Sequence, residues 1–96
     1  MNLVWSPQAI DDLADLHAYV ASNNPTAARD VVLRILDAVE LTLLESPKVG
    51  RAGRVPATRE FVVPRTPYIV PYRLRGATIE ILRVYHGRRR WPTHFA

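Results

Sequence analysis

The apolar positions of this chain change period near its middle, from helical spacing before Pro47 to strand-like runs after it. Asn2 to Trp5 reads as a short opening strand. Ser6-Pro7 ends that strand and begins a helix, because serine can cap free amides and proline at the first helical position gives up an amide that has no partner there. Ile10, Leu13, His17 and Val20 follow at helical spacing and predict a buried stripe to about Ala21, with His17 in the core. Asp11, Asp12 and Asp15 fall near the positive helix end, which accounts for them without a further role. Asn24-Pro25 repeats the start signal, and the second helix runs to about Glu45, where Ser46-Pro47 stops it. Its core stripe is Val32, Ile35, Leu36, Val39 and Leu43. Val31, Leu33, Leu41 and Leu44 lie outside that stripe, an apolar flank that suits contact with another chain. Asp30 and Arg34 read as a surface pair one turn apart.

The brief Ser22-Asn23-Asn24 link makes the two helices an antiparallel hairpin. Residues 48–56 carry the glycine and proline of a loop. Strand signals follow at Thr58 to Val63, Tyr68 to Arg75 and Thr78 to His86, the last two joined by a tight turn at Gly76-Ala77. Pro71 inside its strand predicts an edge position or a bulge. The expected fold is α+β in a single domain over residues 1–96: an N-terminal strand and an antiparallel helical hairpin packed on a small, mainly antiparallel sheet.

Charge sharpens this picture, since residues 51–96 hold ten arginines against Glu60 and Glu80, while residues 1–50 balance at −4. A field so polarised draws a polyanion to one side, and arginine forks suit phosphate. Arg51, Arg54, Arg73, Arg75, Arg88, Arg89 and Arg90 are the candidate nucleic-acid contacts, although a basic half can also serve solubility or an acidic protein partner. Tyr85, His86 and Trp91 stand among the last arginines and offer stacking planes and a group that titrates near neutral pH. With no cysteine and no metal-ligand spacing, stability must come from packing. The N-terminus lacks a signal-peptide pattern and no stretch is long enough to cross a bilayer, so a cytoplasmic location is expected.

Metal-independent RNA cleavage would need a base for the 2′-hydroxyl, cations for the crowded phosphate and an acid for the leaving oxygen. His86 could supply acid or base, Arg59 and Arg83 the cations, Tyr85 a stacking plane or a proton, and Glu60 is the nearby carboxylate that could act as base. In a regular strand Arg83 and Tyr85 share a side and His86 points the other way, unless a bulge intervenes. Serine-elbow, cysteine-nucleophile, phosphate-loop and zinc patterns are absent.

Four segments then resemble the RelE/ParE superfamily, the toxins of bacterial type II toxin–antitoxin systems, in the family's order. They are Trp5 to Leu13, Gly50 to Arg54 with Thr58-Arg59-Glu60, Tyr68 to Arg73, and Ile81 to Pro92, and the match they mark spans almost the whole chain. The resemblance implies a growth-arresting toxin that needs no cofactor and is neutralised by a cognate acidic antitoxin whose flexible C-terminal segment wraps it. RelE-like members cut mRNA in the ribosomal A site, which here would make Arg59, Arg83, Tyr85 and His86 the catalytic set. ParE-like members poison DNA gyrase without nuclease activity, and a noncatalytic RNA-binding domain is a third reading. The arginine, tyrosine and histidine present incline the sequence toward mRNA cleavage.

Overall fold

The computed structural model describes residues 1–95. Its element order is β1 (Asn2–Trp5), α1 (Pro7–Ala21), α2 (Pro25–Glu45), β2 (Arg51–Ala52), β3 (Arg59–Val62), β4 (Tyr68–Arg75), β5 (Thr78–Ile81) and β6 (Tyr85–His86). Both helices start at the proline with the preceding polar residue as cap: Ser6 Oγ accepts from the Ala9 amide at 3.0 Å and Asn24 Oδ1 from the Ala27 amide at 3.1 Å. The strands form one sheet in the order β1-β5-β4-β3-β2, with β6 also paired to β4. Only the β1–β5 pair is parallel among the described residues, so the sheet is mainly antiparallel as expected.

The helical hairpin covers one sheet face. Ile35, Val39 and Leu43 of α2 and Ala9, Leu13 and Leu16 of α1 pack on Phe61, Val63, Val70, Tyr72, Ile79 and Ile81. The buried stripe of α1 is therefore rotated from the expected one. Ile10 and His17 are exposed, whereas Leu16 and, unexpectedly, Asp12 are buried. A charge on the inner face is tolerated only because it is paired there, as described below. The aspartates also begin beyond the first turn of α1, so the helix dipole does not explain them. On α2, Leu33, Leu41 and Leu44 are exposed as predicted, whereas Val31, expected with them, is partly buried and packs against the core. Asp30 and Arg34 form no ion pair within 4.0 Å.

Two further departures concern the strands. Arg51–Ala52 joins the sheet edge beside β3 instead of remaining loop. The expected continuous strand from Thr78 to His86 is broken at residues 82–84. Ile81 lies opposite Tyr72 and Tyr85 opposite Ile69, so four steps on one chain match three on the other. That extra residue is a bulge, and Pro71 faces it. Pro71 thus sits in the central strand, where its missing amide meets the interruption; its carbonyl accepts from the Leu82 amide at 3.0 Å. The alternative of an edge position does not hold.

The start of α1 takes up backbone groups the bulge would otherwise strand. Ser6 Oγ donates to the Leu82 carbonyl at 2.8 Å while also capping the helix. Ser6→Ala should therefore cost more than an isolated cap, roughly 1–2 kcal/mol, read as a lowered midpoint in urea with unchanged slope.

Candidate functional site

Residues directly opposite in a sheet share a face, so the pairing assigns the candidate side chains that lie in strands. Arg51, Glu60, Arg73, Arg75, Glu80 and Tyr85 project from the face away from the helices. Tyr85 is there because the bulge reverses the side it would otherwise take.

Glutamates organise the arginines of this open face. Glu60 is almost wholly buried: its Oε1 accepts from Arg51 Nη2 at 2.9 Å, and its Oε2 accepts from Arg54 Nε at 3.0 Å and from the Arg54 amide at 2.8 Å. Burial alone would raise its pKa, but the side-chain and backbone bonds from Arg54 and the bond from Arg51 hold it below the ordinary carboxylate value. A carboxylate so occupied is ionised yet has no free oxygen for base chemistry. Glu80 similarly bridges Arg73 and Arg75, at 3.0 and 3.1 Å. Because the Glu60 pKa is depressed on folding, its stabilising contribution is complete above its unfolded pKa and is lost as pH falls through the folded value. Glu60→Gln should accordingly be less stable than the parent at pH 7. The difference should shrink as acid protonates the parent carboxylate, which thermal melts across the acid range will measure.

The C-terminal arm lies over the same face. Trp91 stacks edge-on against Tyr85, with centroids 5.0 Å apart, and the Arg54 guanidinium sits 3.8 Å over the Trp91 ring. Arg83 and Arg89 lie 4.7 and 4.5 Å from the Tyr85 centroid. Burial pushes the Tyr85 phenol above its ordinary pKa against the pull of those two guanidiniums, so it is a protonated stacking plane near neutral pH. Tyr85 and Trp91 together fix the course of the arm beyond Gly87.

Arg83 is held from behind by the buried Asp12. Its Nε and Nη2 donate to the two Asp12 oxygens, each at 2.8 Å, and the Val84 amide donates to Asp12 Oδ2 at 2.9 Å. The aspartate bonds raise the Arg83 pKa further despite burial. Sequence reasoning missed Asp12, since nothing at position 12 marks which of three neighbouring aspartates meets an arginine 71 residues away.

The other two expected members of the catalytic set stand apart. His86, opposite Tyr68, takes the helix-side face and packs edge-on to the Tyr68 ring at 5.7 Å; its Nδ1 accepts from the Arg88 amide. Arg59 donates to the carbonyls of Lys48 and Gly50 at 3.0 and 2.9 Å, beside the buried Tyr72 hydroxyl that bonds Pro47 and Gly50. Arg59 is opposite Tyr72 and His86 opposite Tyr68 on the same strand, a separation of about 13 Å along it. The Arg83 guanidinium lies against Tyr85, while His86 and Arg59 remain away from them. Arg88, Arg89 and Arg90 are exposed and have no acidic partner within 4.0 Å among the described residues. No cluster of three or more potential metal ligands occurs among those residues, and no helix is long and apolar enough to cross a membrane.

Comparison with known proteins matches residues 3–91 to the family described as the ParE toxin of type II toxin–antitoxin systems, parDE. The chain is 43% identical over 88 residues to Y4kP of Sinorhizobium fredii, covering 92% of this chain and 90% of that protein. It is 31% identical to toxin RelE2 of Caulobacter vibrioides, covering 92% and 97%. Among solved structures it resembles one from the chromosomal ParDE toxin–antitoxin system of P. aeruginosa, with a TM-score of 0.80, 31% identity and coverage of 90% and 95%.

Proposed function

The chain belongs to the ParE toxin family of type II toxin–antitoxin systems, and from that membership we propose that it arrests growth as a ParE-like poison of DNA gyrase, by surface contacts and without cutting RNA. It is the toxin of such a module, and the module implies a cognate antitoxin. The observation that carries the choice of target is the dispersal of the cleavage set. His86 and Tyr85 lie on opposite faces, Arg59 is bound to loop carbonyls, and both Glu60 oxygens are taken. Proton transfer needs acid and base within hydrogen-bond reach of one substrate, and this spacing does not favour that.

In this reading Arg83 and Tyr85 set the arm, and Arg88, Arg89 and Arg90 are its free contact cations. The same basic face and arm suit an acidic antitoxin that orders as it binds and so masks them. The cleavage reading retains one specific support, the Arg83 guanidinium over the Tyr85 ring next to His86 in sequence.

The two readings separate in one comparison. Purified chain is added to gyrase with supercoiled DNA and, in parallel, to a translating extract. Gyrase-linked DNA breaks with intact mRNA are expected. Cut mRNA with unimpaired supercoiling would return the chain to the RelE-like branch, with Arg59, Arg83, Tyr85 and His86 as its catalytic candidates.

A further inference from the structure

Three arginines stand in a row on the C-terminal arm with their charge uncompensated. Arg88, Arg89 and Arg90 are exposed and have no acidic partner within 4.0 Å among the described residues. Elsewhere on the open face an acid is set against each arginine: Glu60 serves Arg51 and Arg54, Glu80 serves Arg73 and Arg75, and Asp12 serves Arg83. The two glutamate clusters each set two arginines against one carboxylate and so keep a positive excess. The Arg54 guanidinium over Trp91 joins one of them to the arm. The opposite sign lies on the far side of the sheet, since residues 1–50 balance at −4 and supply the helical layer. A polyanion is therefore drawn to the arm side and repelled from the other, which orients the chain on approach.

The kind of polyanion follows from what the aromatic rings already do. Single strands are held chiefly by bases stacking on free rings. Here Tyr85 is buried against Trp91 and two guanidiniums, Arg54 covers the Trp91 ring, and His86 takes the other face, edge-on to Tyr68. The rings fix the arm in place and leave its guanidinium forks turned to solvent. Forks without stacking planes suit backbone phosphates, and duplex DNA offers one such charge per about 1.7 Å of its axis. We propose that the arm is a sequence-independent contact for duplex DNA in which Arg88, Arg89 and Arg90 take backbone phosphates, so that the toxin meets gyrase on the DNA the enzyme holds. The gyrase clause rests on the reading above; the DNA contact does not.

The test titrates the full chain, free of antitoxin, into a short labelled duplex from about 50 to 200 mM salt, read by fluorescence anisotropy. Circular dichroism verifies the fold of each variant. The parent should bind with dissociation on the order of micromolar at the low-salt end, whatever the sequence. Replacing Arg88, Arg89 and Arg90 together by alanine should weaken binding at least roughly tenfold and make the slope of log affinity against log salt shallower by about 3. Arg29→Ala combined with Arg34→Ala removes two exposed cations from the helical layer and should leave affinity within about twofold. Single-stranded DNA of the same sequence should bind more weakly than the duplex. A parent that ignores the duplex at low salt, an unchanged slope in the triple variant, an equal loss from the α2 pair, or tighter binding to the single strand would overturn the proposal. Duplex binding without gyrase-linked breaks would keep the DNA contact and remove the gyrase reading. Breaks without duplex binding would do the reverse and put the arm on an acidic protein surface.

Discussion

Replacing Asp12 by alanine should lower the melting temperature by more than about 12 °C, the largest single-residue effect expected in this chain. The substitution leaves the Arg83 guanidinium half-buried without its counter-ion and leaves the Val84 amide without an acceptor. Breaking a buried pair by removing one partner costs about 3–5 kcal/mol, and a domain of this size has roughly 5–15 kcal/mol in total. Asp12→Ala should thus be partly unfolded at growth temperature, and toxicity should fall with it. Arg83→Ala should behave similarly, because it leaves the carboxylate buried and alone. Replacing both residues by apolar side chains should recover much of the loss but not all, since the Val84 amide still lacks its partner at a cost of about 1–3 kcal/mol. Thermal melts followed by circular dichroism measure all three. A parent-like Asp12→Ala would mean the pair is a surface ornament.

This pair also marks where the sequence stopped being legible. Helix starts at Pro7 and Pro25, the end at Glu45 and the strand Tyr68–Arg75 follow from local chemistry, namely caps, prolines and apolar period, and all were readable. The side on which Tyr85 emerges was not. It depends on one extra residue between Ile81 and Tyr85, and that residue is stable only because Ser6 and Asp12, more than 70 positions earlier, supply bonds to Leu82 and Val84. A proline in a central strand was the local hint, since Pro71 has no amide to offer the neighbouring strand at that point. For the same reason the arginines could be counted but not assigned. Which are free depends on Glu60, Glu80 and Asp12, whose partners are set by sheet register and helix placement. His17 illustrates the opposite error: its spacing fits the stripe, but the helix turns Leu16 inward instead.

In the proposed gyrase reading the arm carries the target contact once the engaged arginines are set aside, and replacing Arg88, Arg89 and Arg90 together by alanine should weaken that poisoning by up to roughly a hundredfold. Exposed charge contacts contribute up to about 1 kcal/mol each, so three give about 3 kcal/mol, and each 1.4 kcal/mol is tenfold in affinity. Stability should change little, because these side chains are exposed and lack acidic partners within 4.0 Å among the described residues; the Arg89 contact over Tyr85 is the one packing loss. Raising the salt concentration should weaken the parent and leave the triple variant less affected, since screening acts on the charges removed. His86→Ala provides the contrast. A nuclease that relied on this histidine would lose about 10²- to 10⁴-fold in rate, whereas a surface poison should retain its activity on gyrase. The assay is the concentration of chain giving half-maximal DNA breaks, with folded protein confirmed by melting temperature. If His86→Ala abolished that activity while the triple arginine variant kept it, the arm would not be the contact and the chemistry would have to be sought at the Tyr68–His86 edge.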